Sequence, residues 1–255
     1  MDEIFVRLDA WLLAVLLALA MVTLWRIGWR MGRRLRDRHG ESPESKWDDA
    51  ALALLGLLLA FSFGVSISKH DQRKLMVVAD SNAIGDFYTC ASLLKEPVRT
   101  KLRDVIREYT RSRLDLTRQP LDEAGLQRAL QRFDEMHAQM TDLVAEAVSA
   151  GTPIAVSLTN TLNQLTSNQA ARLAAFRDRL PSSVVFLLFA SSIVAAFLVG
   201  REQGASKQAQ LVHTMSFILL VSLTVYVILD LIQPERGQIT INQEPMRRLL
   251  SSMSR

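Results

Sequence analysis

With 255 residues, 49% of them hydrophobic and 22% charged, and a mean hydropathy of +0.14, the chain must gather its apolar residues into blocks, which excludes a disordered protein and argues against an ordinary soluble enzyme. Cys90 is the single cysteine, so a disulfide scaffold is excluded as well. The formal charge of +4 is spread along the sequence and leaves no nucleic-acid footprint.

Residues 1–29 read as a first transmembrane helix. Asp, Glu, Lys and Arg are absent from Ala10 to Trp25, and Ile4, Phe5, Val6 and Ile27 extend the apolar run toward the roughly 20 residues a bilayer core requires. Trp11, Trp25 and Trp29 bracket it as interfacial anchors. Ala18-Leu19-Ala20 resembles a signal-peptide cleavage site, but Asp2, Glu3 and Asp9 give the leading segment the wrong charge for one.

A basic loop over 30–49 follows, and residues 50–68 form a second span. Residues 69–180 are different material: charges of both signs are nearly balanced and helix formers dominate. Pro97, Pro120 and Pro153 predict helix boundaries there, since proline suits a first turn and not an interior. Leu126, Leu130, Phe133, His137, Met140, Val144 and Ala147 make a heptad seam, a coiled-coil pattern. Leu158, Leu162, Leu165, Leu173, Phe176 and Leu180 make a second stripe, and Val98, Leu102, Val105, Ile106 and Tyr109 a third. These stripes predict an antiparallel extramembrane bundle, into which one long helix runs from the second span. A third span is expected over 181–200, a short loop over 201–208, a fourth span over 209–230 and a C-terminal tail over 231–255.

The basic residues of the short loops, chiefly Arg26, Arg30, Arg33, Arg34, Arg36 and Arg38, predict both termini and the long middle segment outside the cytoplasm. Adding the flanks of the middle segment (Lys69, Arg73, Lys74, Arg172, Arg177, Arg179) removes that preference.

Three stretches, taken together, carry a family resemblance. One is Leu55-Gly56-Leu57-Leu58-Leu59-Ala60-Phe61-Ser62-Phe63 with Asp71-Gln72-Arg73 and Asp80-Ser81-Asn82-Ala83-Ile84-Gly85 after it. Another is Arg179-Leu180-Pro181, and the last runs from Leu229-Asp230-Leu231 through Gln233-Pro234-Glu235-Arg236-Gly237 to Gln243-Glu244-Pro245-Met246. Over about residues 50 to 250 this order resembles the bacterial membrane family with a bestrophin-like domain. Two of the family's frequent acidic positions are replaced by Ser81 and Ile232. The resemblance implies four spans with a long helical segment between the second and third, a ring-shaped oligomer, an anion-conducting central pore and cytoplasmic termini. That last implication opposes the loop-charge reading.

Gly56, Ala60, Gly64 and Ser68 recur every four residues on the second span, and Ser192, Ala196 and Gly200 repeat the spacing on the third. Small residues so placed let helix backbones approach. They serve either packing within one chain or a subunit or pore face. Ser62 and Ser66, one turn apart, are candidates to line a wet path, against the plainer reading that each bonds its own preceding carbonyl. Asp230, Pro234 and Gly237 are expected to form a structural hub, the carboxylate holding a turn. His39, His70, His137 and His213 have no second ligand at metal spacing, and no catalytic or cofactor motif occurs.

The expectation is an all-α polytopic membrane protein, not an enzyme, without metal or cofactor, in the cell membrane and specifically a bacterial inner membrane. Its partners would be the lipid bilayer, further copies of itself and small ions, and not nucleic acid. The leading function is an oligomeric channel; the alternative is a non-conducting membrane scaffold or sensor whose bundle binds a partner.

Overall fold

The computed structural model describes residues 9–39, 46–116, 123–178, 180–206, 211–233 and 239–254. The connection expected at Gln119-Pro120, and Pro234 and Gly237 of the expected hub, lie outside them. The described residues form eight helices and no strand: α1 (Ala10–His39), α2 (Lys46–Ser92), α3 (Val98–Leu116), α4 (Glu123–Ser149), α5 (Ala155–Arg177), α6 (Ser182–Ala205), α7 (Leu211–Ile232) and α8 (Glu244–Ser252). α1, α2, α6 and α7 are long and apolar enough to cross a membrane. The chain divides into two compact units, residues 1–70 with 179–240 and residues 71–178 with 241–255. The first is the membrane unit. The second, rich in charge, is the extramembrane bundle.

In the membrane unit, α1 packs mainly along α6. No hydrophobic force joins apolar helices in lipid, so close van der Waals fit must do it. Glycine supplies that fit from both sides. A methyl group on Gly28 would sit 2.2 Å from the Phe197 carbonyl oxygen, and one on Gly32 would sit 2.0 Å from that of Arg201. Gly200 and Gly204 meet the carbonyls of Trp25 and Trp29 in the same way, each at 2.2 Å. Towards the interface the seam turns polar. Trp25 Nε1 donates to Gln203 Oε1 at 3.1 Å, Gln203 Nε2 donates to Thr214 Oγ1 on α7 at 2.8 Å, and Arg36 donates to the Gly204 carbonyl at 3.1 Å. Arg201 clamps the nearly buried Asp48 carboxylate at 2.9 and 3.0 Å, fixing the first turn of α2 to α6.

Much of the expected 30–49 loop is helical. α1 runs on to His39 and α2 starts at Lys46, because nothing in the arginine-rich exit breaks a helix and arginine is a good helix former. At about 1.5 Å per residue, α1 therefore outlasts a bilayer core.

The bundle contains the second half of α2, then α3, α4, α5 and α8. Gly64 and Gly85 do not interrupt α2, which is one helix from Lys46 to Ser92. Ile84, Phe87, Leu102, Ile106, Tyr109, Phe133, Met140, Leu158 and Leu165 share one dry core. Those of α3, α4 and α5 come from the stripes that the sequence spacing predicts, and Ile84 and Phe87 of α2 join them. α4 ends in a left-handed Gly151, φ 74°. The Thr152 amide returns to the Ala147 carbonyl at 3.3 Å and the Gly151 amide to Val148 at 3.0 Å, a Schellman closure.

The 231–255 tail is more than a tail. α8 sends Met246 and, just past its end, Met253 into the bundle core. The Met253 carbonyl accepts from Arg107 Nη2 at 2.9 Å and from Tyr88 Oη at 3.2 Å. A sequence stripe of Met246, Leu249, Leu250 and Met253 carries this signal.

Replacing Gly200 with leucine forces α1 away from α6. The expected loss is about 3 kcal/mol or more, read as a lower melting temperature of detergent-purified protein by tryptophan fluorescence. Gly56→Leu, where a Cβ meets no atom within 4 Å, serves as the tolerated comparison for the isolated chain.

Candidate functional site

Two features of the structure can carry function: the faces of the spans, and a buried polar cluster in the bundle.

The two small-residue stripes have different surroundings. Ser192, Ala196 and Gly200 are buried against helices of the same chain, and Ser192 Oγ donates to the Leu188 carbonyl at 2.7 Å. Gly56, Ala60, Gly64 and Ser68 are exposed. Packing within the chain therefore accounts for the α6 stripe and does not extend to the α2 stripe. Beside the latter, Leu57 is 68% and Phe61 70% exposed, and the apolar stretch of α2 is the least covered of the four spans. Ser62 and Ser66 lie on the opposite, buried side. Ser66 Oγ donates to the Ser62 carbonyl at 2.8 Å, so the hydroxyl is satisfied within its own helix.

Asp230, at the end of α7, is buried and its Oδ2 accepts the Ile239 amide at 2.9 Å. The carboxylate ties together the two ends of the segment that holds Pro234 and Gly237.

The bundle's polar cluster is built on α2. Asp80 is fully buried, and its Oδ2 accepts from Arg113 Nη2 of α3 and Arg172 Nη1 of α5, each at 2.6 Å. Arg172 also donates to Gln243 Oε1 at 3.4 Å, which brings in the residue preceding α8. The Arg113 guanidinium lies over the Tyr109 and Phe133 rings at 5.6 and 5.3 Å, where the ring faces offset its charge. Beside it, Gln169 Oε1 accepts from Tyr109 Oη at 3.0 Å and pairs with His137 Nε2. Burial pushes the Tyr109 phenol up to about 12. Burial is also the main cause holding His137 below its ordinary value; Arg113 acts the same way, and the Gln169 bond opposes both. About two turns before Asp80, Arg73 donates to the Ala175 and Asp178 carbonyls at 3.0 and 2.8 Å. A guanidinium at a helix C-terminus satisfies orphan carbonyls and complements the helix dipole.

None of these groups is arranged as a nucleophile with a base. The cluster does structural and electrostatic work, joining α2, α3, α5 and the segment before α8. Sequence spacing alone did not single out Asp80, Arg113 or Arg172, because their partners are far apart in the chain. The available signal was a charged residue at an inward position of a helical stripe.

A family model described as the bestrophin-like domain matches residues 50–246. No curated protein and no solved structure matches the chain.

Asp80→Asn removes the charge and keeps the shape, leaving two buried guanidiniums without a carboxylate. The expected loss is about 3–5 kcal/mol, measured as a circular-dichroism melt against exposed Asp86→Asn, for which a change within about 0.5 kcal/mol is expected. His137 has its folded value depressed, so the folded chain binds fewer protons than the unfolded one. Its contribution is full above the unfolded value of about 6.5 and falls as pH drops from there through the folded value. Wild type should therefore lose more stability between pH 7.5 and 5 than His137→Gln; equal slopes would assign the acid sensitivity elsewhere.

Proposed function

The chain belongs to the bestrophin-like family, and from that premise we propose that copies of it assemble in a membrane, with α2 lining a pore for small ions. The reading is of a channel and not an enzyme, acting in a bacterial inner membrane. The observation that carries it is the uncovered α2 face. Lipid tails are as apolar as leucine, so a stripe of Gly56, Ala60, Gly64 and Ser68 gains nothing by facing them. Its use is close approach, by a neighbouring helix or by a permeating ion. The polar groups near an ion would then be helix backbone and Ser68, with Phe61 as an apolar constriction. Ser62 and Ser66 face inward and take no part. The four spans support the membrane placement, and the family supports the ion.

Purified protein in planar bilayers should pass current, with a reversal potential under a potassium chloride gradient that reports the permeant charge. Gly64→Leu, at a position where an added Cβ meets no atom within 4 Å, should cut the unit current at least several-fold while Ser192→Ala leaves it unchanged. A well-folded oligomer that passes no current would sink the channel and favour the non-conducting scaffold or sensor.

A further inference from the structure

From Ala147 to Ala171 the sequence contains no Asp, Glu, Lys, Arg or His. This charge-free run is longer than that of any of the four spans, yet it is not apolar. Most of it is α5, in the bundle, where neighbouring helices are dense in charge. One side of α5 is accounted for: Leu158, Leu162 and Leu165 are buried in the core. The opposite side carries Val156, Asn160, Asn163, Ser167, Ala170 and Ala174 at spacings of four and three, all of them exposed. That is a second heptad seam, about 180° from the first, and none of the described helices covers it.

Three observations set this seam apart from a solvated surface. Solvated helix faces use glutamate, lysine, arginine and glutamine, which are good helix formers and keep the surface charged. α5 instead shows asparagine, serine and, on the flank, exposed Thr159 and Thr166, all weaker helix formers. The threonine hydroxyls return to their own helix, Thr159 to Ala155 and Thr166 to Leu162 at 2.9 and 3.0 Å, which leaves methyl groups outward. Ala170 and Ala174 have side chains small enough for a second backbone to come close.

We propose that this seam is where the extramembrane bundle of one copy packs against a second copy of the same chain. The occupant follows from charge. A surface that meets a copy of its own chain is favoured by groups that suit themselves. Asparagine amides are donor and acceptor at once, whereas like charges on two copies would repel. Asparagine at a core position of a coiled-coil seam also fixes register. The seam shares with the proposed pore only the premise that copies associate, and it holds whether or not the assembly conducts.

The test is the double variant Asn160→Glu, Asn163→Glu in the full chain, with mass measured in detergent micelles and in nanodiscs. Glutamate is the better helix former and both sites are exposed, so the melt of the dissociated chain should not fall. The expected result is a shift to smaller species, with dissociation at a protein concentration at least tenfold higher than for wild type. Gln131→Glu on the exposed face of α4 should leave the mass unchanged, and Asn160→Gln, Asn163→Gln should preserve assembly. A double glutamate variant with the wild-type mass overturns the inference. The same mass with an altered current would place the seam along an aqueous path instead and overturns it equally. A monomeric wild type would remove both this interface and the pore.

Discussion

A carboxylate in a dry core must be paired, and Asp80 is paired twice. One oxygen accepts two guanidiniums, from α3 and α5, and the second guanidinium leaves the group with excess positive charge. Two aromatic faces and a glutamine side chain offset that excess. Such a cluster contributes little net stability compared with an apolar core of the same shape, but it tolerates few other arrangements. A leucine stripe can slip by a turn and still be buried. A carboxylate that must meet Arg113 and Arg172 together cannot. The heptad stripes thus supply the burial in the bundle, and Asp80 selects the register of α2 against α3 and α5.

The membrane unit solves the same problem without charge. Gly28, Gly32, Gly200 and Gly204 let the backbones of α1 and α6 touch, so even a methyl group at these four positions is excluded by atoms that cannot move aside. The outcome is a tight pair with α7 beside it. The α2 stripe, built from the same kinds of residue, is left uncovered in this unit. Identical sequence patterns therefore have different meanings on α2 and α6. Only the presence or absence of a partner backbone separates them.

Periodicity and hydropathy made the four spans, the three stripes of the bundle and the unbroken α2 legible, because each depends on residues close in sequence. The residues carrying the resemblance gave a further hint. Arg73, Asp80, Asp230, Gln243 and Met246 are all buried, and each except Met246 makes a polar contact to a residue well separated from it in sequence. Their roles were not legible, because Asp80 meets Arg172 across 92 positions, and no local pattern encodes that. α8 was missed for a different reason. Its stripe is short, and charged residues at Glu244, Arg247 and Arg248 made it resemble a solvated tail.

Small residues and uncharged polar residues mark contact in two media by one principle. In lipid, the solvent is as apolar as the side chains, so apolar burial gives no preference and backbone approach decides which faces meet. In water, apolar burial decides first, and the surface left over is normally charged. A face intended for water has no reason to give up charge over several turns, since charge keeps it soluble and helical. α5 gives it up along the whole seam opposite its leucines, while α4 beside it keeps Arg128, Glu135 and Asp142 outward. The uncovered glycines of α2 and the uncharged amides of α5 are thus the same kind of signal. Each is costly or pointless in its own solvent, and each makes sense once another surface replaces that solvent.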